Sequence, residues 1–349
     1  MIPIIMDTNF NRLGMIDDYI SFIWTNRYYA SGDFELCTPI SDKCINLLKK
    51  DYYIARDDDE SIGVIENIKF TKIDRLTDAE EMIVVRGRFL PSILSRRIIA
   101  TQTQVKGSVA SCIQTLINQN AISPSIAARK IPNLTFKSTV TSTRTMEQQF
   151  TGKNLLTTIE DICLEYGLGY KVTLDESNNF AFELYEGVNR SYDQNENPFV
   201  VFSHDYDNLE SSDYEEDYQA IVTDVLVAGE GEGTARKMIW ANKKTNSGLA
   251  RYEIFQDARN ASTNNGAISD NVYYEQLKNE GLESITKYTQ AFAGKVYFGN
   301  VEYGKDINLG DICTVENTAW GIYINTRLIE MIESTNEAGE YTITPTFGV

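Results

Sequence analysis

Ile221-Val222-Thr223-Asp224-Val225-Leu226-Val227-Ala228 runs directly into Gly229-Glu230-Gly231-Glu232-Gly233, an apolar strand entering a glycine–glutamate loop. Two kinds of fold produce such a stretch. In a nucleotide-binding βαβ unit, the strand feeds a glycine turn and then a helix whose N-terminus holds a pyrophosphate. In a β-protein, the glycines let a strand end sharply beside another backbone. The dinucleotide spacing G-x-G-x-x-G requires Gly or Ala at position 234, where this chain has Thr234. Glu230 and Glu232 also fall where the pyrophosphate would sit, and each opposes it by about a kcal/mol or more in a partly desolvated loop. No helical periodicity follows; Lys243-Lys244-Thr245-Asn246-Ser247-Gly248 reads as a turn. Glu253 stands about where a ribose-binding acid would fall, but it is one of 50 acidic residues. The stretch therefore reads as a structural turn in a β region, and no cofactor is expected.

Outward from this point the chain alternates between β and mixed regions. Residues 1–98 are mainly β by pattern. Tyr19-Ile20-Ser21-Phe22-Ile23-Trp24 leads through Tyr28-Tyr29 and the turn Ser31-Gly32-Asp33 into Phe34-Glu35-Leu36-Cys37-Thr38. Further strands are expected at 52–56, 63–70 and 82–87. The acidic run Asp57-Asp58-Asp59-Glu60 lacks the ordered ligand spacing of a calcium loop and reads as a solvated hairpin tip. Between 99 and 198 helical faces appear. Val109, Cys112, Ile113, Leu116 and Ile117 form one, capped by Ser108. Leu155, Leu156, Ile159, Ile162, Cys163 and Tyr166 form another, ended by Gly167 and Gly169. A hairpin follows at 170–174 and 180–185, so this is an α+β module inserted between β segments. Residues 199–235 return to β. Residues 236–292 are a second, partly helical insertion, with a helix near 270–292 expected from Tyr274, Leu277, Leu282, Ile285, Tyr288 and Phe292. Strands are expected again at 294–298, 312–315, 320–333 and 341–345. Two β regions, each paired with a helical module, hint at a weak duplication.

Composition narrows the function classes. The chain has 349 residues, of which 42% are hydrophobic, enough for about two to four domains. Its 20 tyrosines and 15 phenylalanines favour strands. No stretch approaches the roughly 18 apolar residues of a membrane helix, and the start carries no positively charged signal-peptide region. Five cysteines at 37, 44, 112, 163 and 313 have no zinc-type spacing and read as buried thiols in a reducing cytoplasm. A lone histidine, His204, argues against a His-based metal site and a Ser-His-Asp triad. No GxSxG, Walker A or HExxH pattern is present. Paired carboxylates would permit glycoside hydrolysis, but no local motif selects a pair. The net charge is −18, and residues 201–349 hold −13 of it, with 24 acidic against 11 basic side chains. Between Arg190 and Arg236 there are 12 acids and no Lys or Arg. Such a surface repels phosphates, which excludes sequence-specific nucleic-acid binding there. Trp24, Tyr28 and Phe34 read as core or subunit-interface aromatics in preference to a ligand-stacking patch.

Three segments carry a family resemblance. They are Trp24-Thr25-Asn26-Arg27-Tyr28-Tyr29-Ala30-Ser31-Gly32-Asp33-Phe34-Glu35-Leu36, then Val227-Ala228-Gly229-Glu230-Gly231-Glu232-Gly233-Thr234-Ala235-Arg236, and then Tyr303-Gly304-Lys305-Asp306-Ile307-Asn308-Leu309-Gly310-Asp311-Ile312-Cys313-Thr314-Val315 with Tyr341-Thr342-Ile343-Thr344-Pro345-Thr346-Phe347-Gly348. In order and spacing the chain resembles the siphophage hub-like tail proteins, relatives of the baseplate hubs of contractile tails and tail-derived bacteriocins. The resemblance implies a β-rich α+β fold. Two β-barrel-like domains per chain would build a pseudo-sixfold ring in a homotrimer, and that ring would adapt a sixfold tail tube to a threefold spike. The implied division is a first β-barrel-like domain at 1–98, the α+β module at 99–198, a second β-barrel-like domain at 199–235 plus 293–349, and the partly helical module at 236–292.

The implied partners are further copies of the chain, the tube protein above, a spike or tail-tip protein below, other baseplate proteins and the tape measure protein, without membrane insertion. Assembly would take place in the bacterial cytoplasm, and the finished protein would sit at the distal end of the tail. Trp24, Gly32, Phe34, Gly229, Glu230, Gly231, Glu232, Gly233, Gly310 and Asp311 are marked for structural or assembly roles; no catalytic, cofactor or metal residue is expected. Many relatives continue into a peptidase or fibre region, whereas this chain stops at Val349, which favours a non-enzymatic hub. A tail-associated peptidoglycan hydrolase and a host-glycan-binding tail protein are the alternatives. The acidic residues around 201–233 are expected along the lumen or a seam, where they would keep DNA or the tape measure from adhering.

Overall fold

A computed structural model describes residues 1–74, 79–209, 211, 213–285, 289–293 and 301–348. One strand organises it: Ile322–Asn336, 15 residues long. Along one edge it pairs antiparallel with Ile312–Asn317 and then with Ser21–Arg27; along the other it pairs with Tyr341–Gly348. Beyond Ser21–Arg27 the sheet continues through Asp33–Pro39, Ala79–Arg88 and Asn67–Asp74. Beyond Tyr341–Gly348 it continues through Thr289–Ala293 and Asp213–Asp217, and Val201–Ser203 adds parallel to Ile312–Asn317. The two β regions at the ends of the chain thus share one ten-stranded sheet.

A bulge sets the chemistry of the long strand. Its register with Tyr341–Gly348 slips between Leu328 and Glu330. Before the slip Thr326 and Leu328 are buried; after it Met331, Glu333 and Thr335 are. One extra residue reverses which side chains face inward, and so a carboxylate, Glu333, is turned into the protein.

A four-stranded sheet of Arg12–Met15, Ile4–Met6, Tyr53–Arg56 and Asp59–Val64 packs on the N-terminal half of the large sheet. Ile5, Phe22, Trp24, Phe34, Leu36, Ile54, Val85 and Phe89 fill the space between them. The α+β module holds helices Val109–Ile117 and Leu155–Tyr166. Ser108 Oγ caps the first by accepting from Ser111 N at 3.3 Å, and Gly167 ends the second at φ +63°. The hairpin Gly169–Leu174/Phe180–Tyr185 follows as read, its turn closed by Asp175 Oδ1 accepting from Ser177 N and Asn179 N, each at 2.9 Å. The five cysteines are free and buried. Among the described residues no helix is long and apolar enough to cross a membrane.

The β-rich α+β class is as expected, but two local readings are corrected. The strand read at 221–228 covers only Asp224–Ala228, and it does not join the large sheet. It pairs with Met238–Asn242 and Glu253–Asp257 in a separate three-stranded sheet backed by helix Asp270–Glu283. The loop dictates this: Gly229 N donates to Lys237 O at 2.8 Å and Lys237 N to Glu230 O at 3.0 Å, so the chain folds back as a hairpin. The helix read to 292 ends at Glu283, and Phe292 lies on the strand Thr289–Ala293 opposite Tyr214 and Phe347. A short aromatic tract satisfies both periodicities, and sheet pairing decided. The acidic run at 57–60 is the hairpin tip as read, with Asp57, Asp58 and Glu60 exposed, and in addition Asp58 accepts from Arg56 and Asp59 from Trp24. The strand read at 294–298 lies outside the described residues.

Candidate functional site

The first and third family segments meet at Tyr28, just past the end of strand Ser21–Arg27. Its side chain is fully buried. Its hydroxyl donates to Gly167 O and accepts from Gly187 N, each at 3.1 Å. Burial pushes this phenol up to about 12. The slot around the ring exists because glycines line it. A Cβ on Gly169 or on Gly310 would stand 2.1 Å from the ring, and one on Gly187 would stand 1.8 Å from Gly310 O. Gly310 also has φ +96°, a conformation open to glycine. Arg327 lies over the ring, 5.1 Å from the centroid, and donates to Gly310 O. Beside the slot, Asp311 is buried and accepts from Val188 N at 2.7 Å, Arg190 Nε at 2.9 Å and Asn308 N at 3.0 Å. The N-terminal β region, the α+β module and the C-terminal β region are fastened together here.

A second cluster adjoins it. Trp24, paired opposite Glu333 across the central strands, donates from Nε1 to Asp59 at 2.9 Å. Arg56 lies 5.7 Å over the Trp24 ring and donates to Asp58 Oδ2 at 2.8 Å and Glu333 Oε2 at 2.9 Å. Burial pulls this guanidinium down, but those hydrogen bonds outweigh it and hold it above its ordinary value. Tyr341 donates to Glu333 as well. Phe34 packs beside Trp24 in a space that Gly63 leaves open, where a Cβ would come 2.4 Å from the Phe34 ring. Gly32 lets Phe89 close down on the Trp24 ring, 4.4 Å between centroids; a Cβ at Gly32 would meet Thr25 O at 2.2 Å. Arg56, Asp58, Asp59, Phe89, Glu333 and Tyr341 border a cleft of about 780 Å³ that also receives Lys171 and Tyr185 from the α+β module and Tyr303 from the C-terminal region.

The glycine–glutamate loop lies elsewhere, in the small module. Gly229 packs under Tyr273, whose hydroxyl would be 2.2 Å from a Cβ there. Gly231 (φ +97°) and Gly233 (φ +56°) supply left-handed backbone, and Gly233 faces open space. Glu230 turns inward: it accepts from Thr263 N at 2.9 Å and Thr263 Oγ1 at 2.7 Å and pairs with Lys237 at 3.0 Å. The Thr263 donors hold this carboxyl down at about 2. Glu232 is exposed. No helix N-terminus follows the loop, only the short turn Gly233–Ala235 and the returning strand, so the phosphate cradle is absent from this loop.

Gly310 and Asp311 therefore sit at the Tyr28 junction, Trp24, Gly32 and Phe34 in the cluster beside it, and the five loop residues form a separate feature. All of the first five are buried within the chain. Sequence reasoning missed Tyr28 as the hub of that junction, together with Arg56 and Glu333. A signal for Arg56 was available: it shares a strand face with buried Ile54, and a cation on an apolar face needs an acid. Chemically the junction positions and fastens. The Asp59 carboxylate is occupied by Trp24, Asn26 Nδ2 at 2.7 Å and Ser61 N at 2.7 Å, and Asp311 by its three donors. His204, in the turn His204–Tyr206, does not border the cleft.

The sequence model of the family described as Siphovirus ReqiPepy6 Gp37-like protein matches residues 2–349. Three solved structures share the fold. The tail protein from Neisseria meningitidis MC58 is 13% identical with a TM-score of 0.56, covering 100% of this chain and 96% of that one. Prophage tail protein gp18 from Listeria monocytogenes EGD-e is 12% identical with a TM-score of 0.52, covering 100% and 94%. The 43 kDa tail protein of prophage MuSo2 from Shewanella oneidensis is 12% identical with a TM-score of 0.55, covering 99% and 98%. Comparison with curated proteins gives no match.

Proposed function

Because the chain belongs to the Siphovirus ReqiPepy6 Gp37-like protein family, we propose that it is a non-enzymatic baseplate hub, a homotrimer at the distal end of a tail tube that adapts sixfold to threefold symmetry. One observation carries the reading furthest: the N- and C-terminal β regions are joined in a single ten-stranded sheet and locked at Tyr28. A hub transmits force between tube and spike, and a seam of buried hydrogen bonds and ring packing suits that task better than a flexible linker. Three such double units would close a pseudo-sixfold ring. The region 1–98 and the large-sheet strands after 199 would form its wall, with the modules at 99–198 and about 221–285 projecting from it. Tube protein would contact one rim, and a spike or tail-tip protein the other.

The marked residues act, on this reading, by shaping the protomer. Trp24, Phe34 and Asp311 are buried within it, and Glu230 is taken up by Thr263 and Lys237. The lumenal acids would instead be Glu232 and the exposed Asp213, Glu215 and Glu216 of the edge strand Asp213–Asp217. Acids on an edge also block unwanted strand addition. Neutralising these four and measuring DNA ejection or particle activity tests that assignment; unchanged behaviour would count against it.

Imaging the assembled particle tests the hub itself. Three copies around the axis at the distal tail are expected, and six copies, or a position along the tube or on the head, would overturn the proposal. Turnover of purified peptidoglycan, abolished by one carboxylate substitution, would turn the reading to a hydrolase.

A further inference from the structure

Helix Leu155–Tyr166 of the α+β module and helix Asp270–Glu283 of the small module face each other across a second cleft, of about 470 Å³. Asp161 and Glu165 line it from the first helix, Glu280 and Glu283 from the second. Compensation is thin. Lys153 Nζ is 3.9 Å from Glu280, and Gln256 Nε2 donates to Glu280 at 3.2 Å. Among the described residues, Asp161, Glu165 and Glu283 form no ion pair. Gln148 borders the same cleft from strand Thr145–Phe150. It is 9% exposed, and its Oε1 has no hydrogen-bond partner among the described residues. Buried polar atoms rarely stay unpaired, and the Gln148 oxygen is an acceptor, as are the exposed carboxylates of Asp161, Glu165 and Glu283; against them the lining sets Lys153 and Lys243. No acidic cluster among the described residues is tight enough for a metal ion. Four carboxylates and one amide oxygen spread along the cleft suit donors spaced along a single molecule better than one ion.

We propose that this cleft binds an extended organic cation, with ammonium groups spaced along a flexible chain, supplied either by a free polyamine or by lysine side chains of a neighbouring polypeptide. The cation would tie the small module to the α+β module, bridging carboxylates that now repel across the gap.

Proton linkage supports the same geometry. Desolvation by the protein packed around the cleft, then the Glu165 carboxylate, push the Glu283 carboxyl up to about 8, although its side chain still opens to solvent. Glu280 on its own helix and Asp161 opposite raise it further, and Lys153 lowers it. Lys243 borders the cleft and bears on Glu165. Cation binding would favour ionised Glu283, so it releases protons near neutral pH and tightens as pH rises towards about 8.

Titration calorimetry of the full chain at low salt, with spermidine and separately with tetralysine, tests this. Saturable binding is expected, strengthening by up to about tenfold per pH unit for one released proton. The double variant E165Q/E283Q should lose at least tenfold in affinity and most of that pH dependence, while the surface control E196Q/E337Q should lose neither. Binding of spermidine would assign a free polyamine; binding of tetralysine alone would assign a polypeptide source. Failure of both probes to bind, or equal losses in the two double variants, would overturn the proposal.

Discussion

Two buried tyrosines use their hydroxyls in the same way in different parts of the molecule. Tyr28 donates to Gly167 O and accepts from Gly187 N, each at 3.1 Å. Tyr273 donates to Ala261 O at 3.0 Å and accepts from Glu230 N at 2.7 Å. Each ring packs where a glycine leaves room, Gly169 and Gly310 for Tyr28 and Gly229 for Tyr273. The difference lies in what is joined. Tyr28 ties segments 139 and 159 residues away, and so holds separate regions of the chain in one body. Tyr273 ties segments within the small module. The same local chemistry is architectural in one place and local in the other, and this contrast can be broken experimentally.

The largest effect is expected from the charges beside each site. Arg56→Ala leaves Glu333 buried with only the Tyr341 hydroxyl among the described residues, and removing one partner of a buried pair costs about 3–5 kcal/mol. The counterpart in the small module, Lys237→Ala, breaks pairs that are partly or largely exposed and should cost about 1 kcal/mol or less. Denaturant unfolding of the two variants measures the gap; similar midpoints would erase the distinction.

Glycine substitutions come next. Gly310→Ala meets both a clash with Tyr28 and a positive φ, for about 3 kcal/mol. Gly233→Ala meets only the positive φ, in open space, for about 1 kcal/mol. Removing the hydroxyls themselves should be about equal in size, at about 1–3 kcal/mol for each of Tyr28→Phe and Tyr273→Phe. Their reach should differ. Hydrogen exchange should quicken in all three joined regions for Tyr28→Phe, and within 224–285 alone for Tyr273→Phe. Exchange that spreads equally in both would show that the small module is no separate unit.

The contrast also explains what could be read from the sequence. Helices Val109–Ile117 and Leu155–Tyr166 were legible because their apolar stripes, and the glycine that stops the second, are local signals. So was the hairpin turn at Asp175. The Tyr28 junction and the cluster beside it were half legible: Trp24, Gly32, Phe34, Gly310 and Asp311 stood out, but nothing local links position 28 to positions 167, 187 and 310. Glu333 was hidden more deeply, because strict alternation along Ile322–Asn336 would place it on the other face, and only the bulge near Ile329 turns it inward. The glycine–glutamate loop stood out most in the sequence, yet it closes a local hairpin. Local signal strength tracks backbone constraint, and long-range fastening leaves little trace in neighbouring residues.

The smallest expected effect separates the two regions by pH. Glu230 has its carboxyl at about 2 against an ordinary 4.5, held there by the Thr263 backbone N–H and hydroxyl. A carboxyl lowered on folding stabilises the folded form fully above its unfolded value, and that contribution is lost as pH falls through the folded value. The small module should therefore lose the Glu230 contribution between about pH 4.5 and about 2. Glu230→Gln removes a charge-assisted acceptor and should cost about 1 kcal/mol at pH 5. The parent and this variant should converge in stability as the pH approaches 2, because the carboxyl is then fully protonated in the unfolded chain and about half protonated in the folded one. Trp240 lies in the small sheet, and the Tyr28 region holds Trp24, so fluorescence of variants retaining one or the other reports each region separately. The convergence should appear with the Trp240 reporter and be absent with Trp24. A gap that stays constant from pH 5 to 2, or one that closes with Trp24 as reporter, would mean that Glu230 does not fasten its own module.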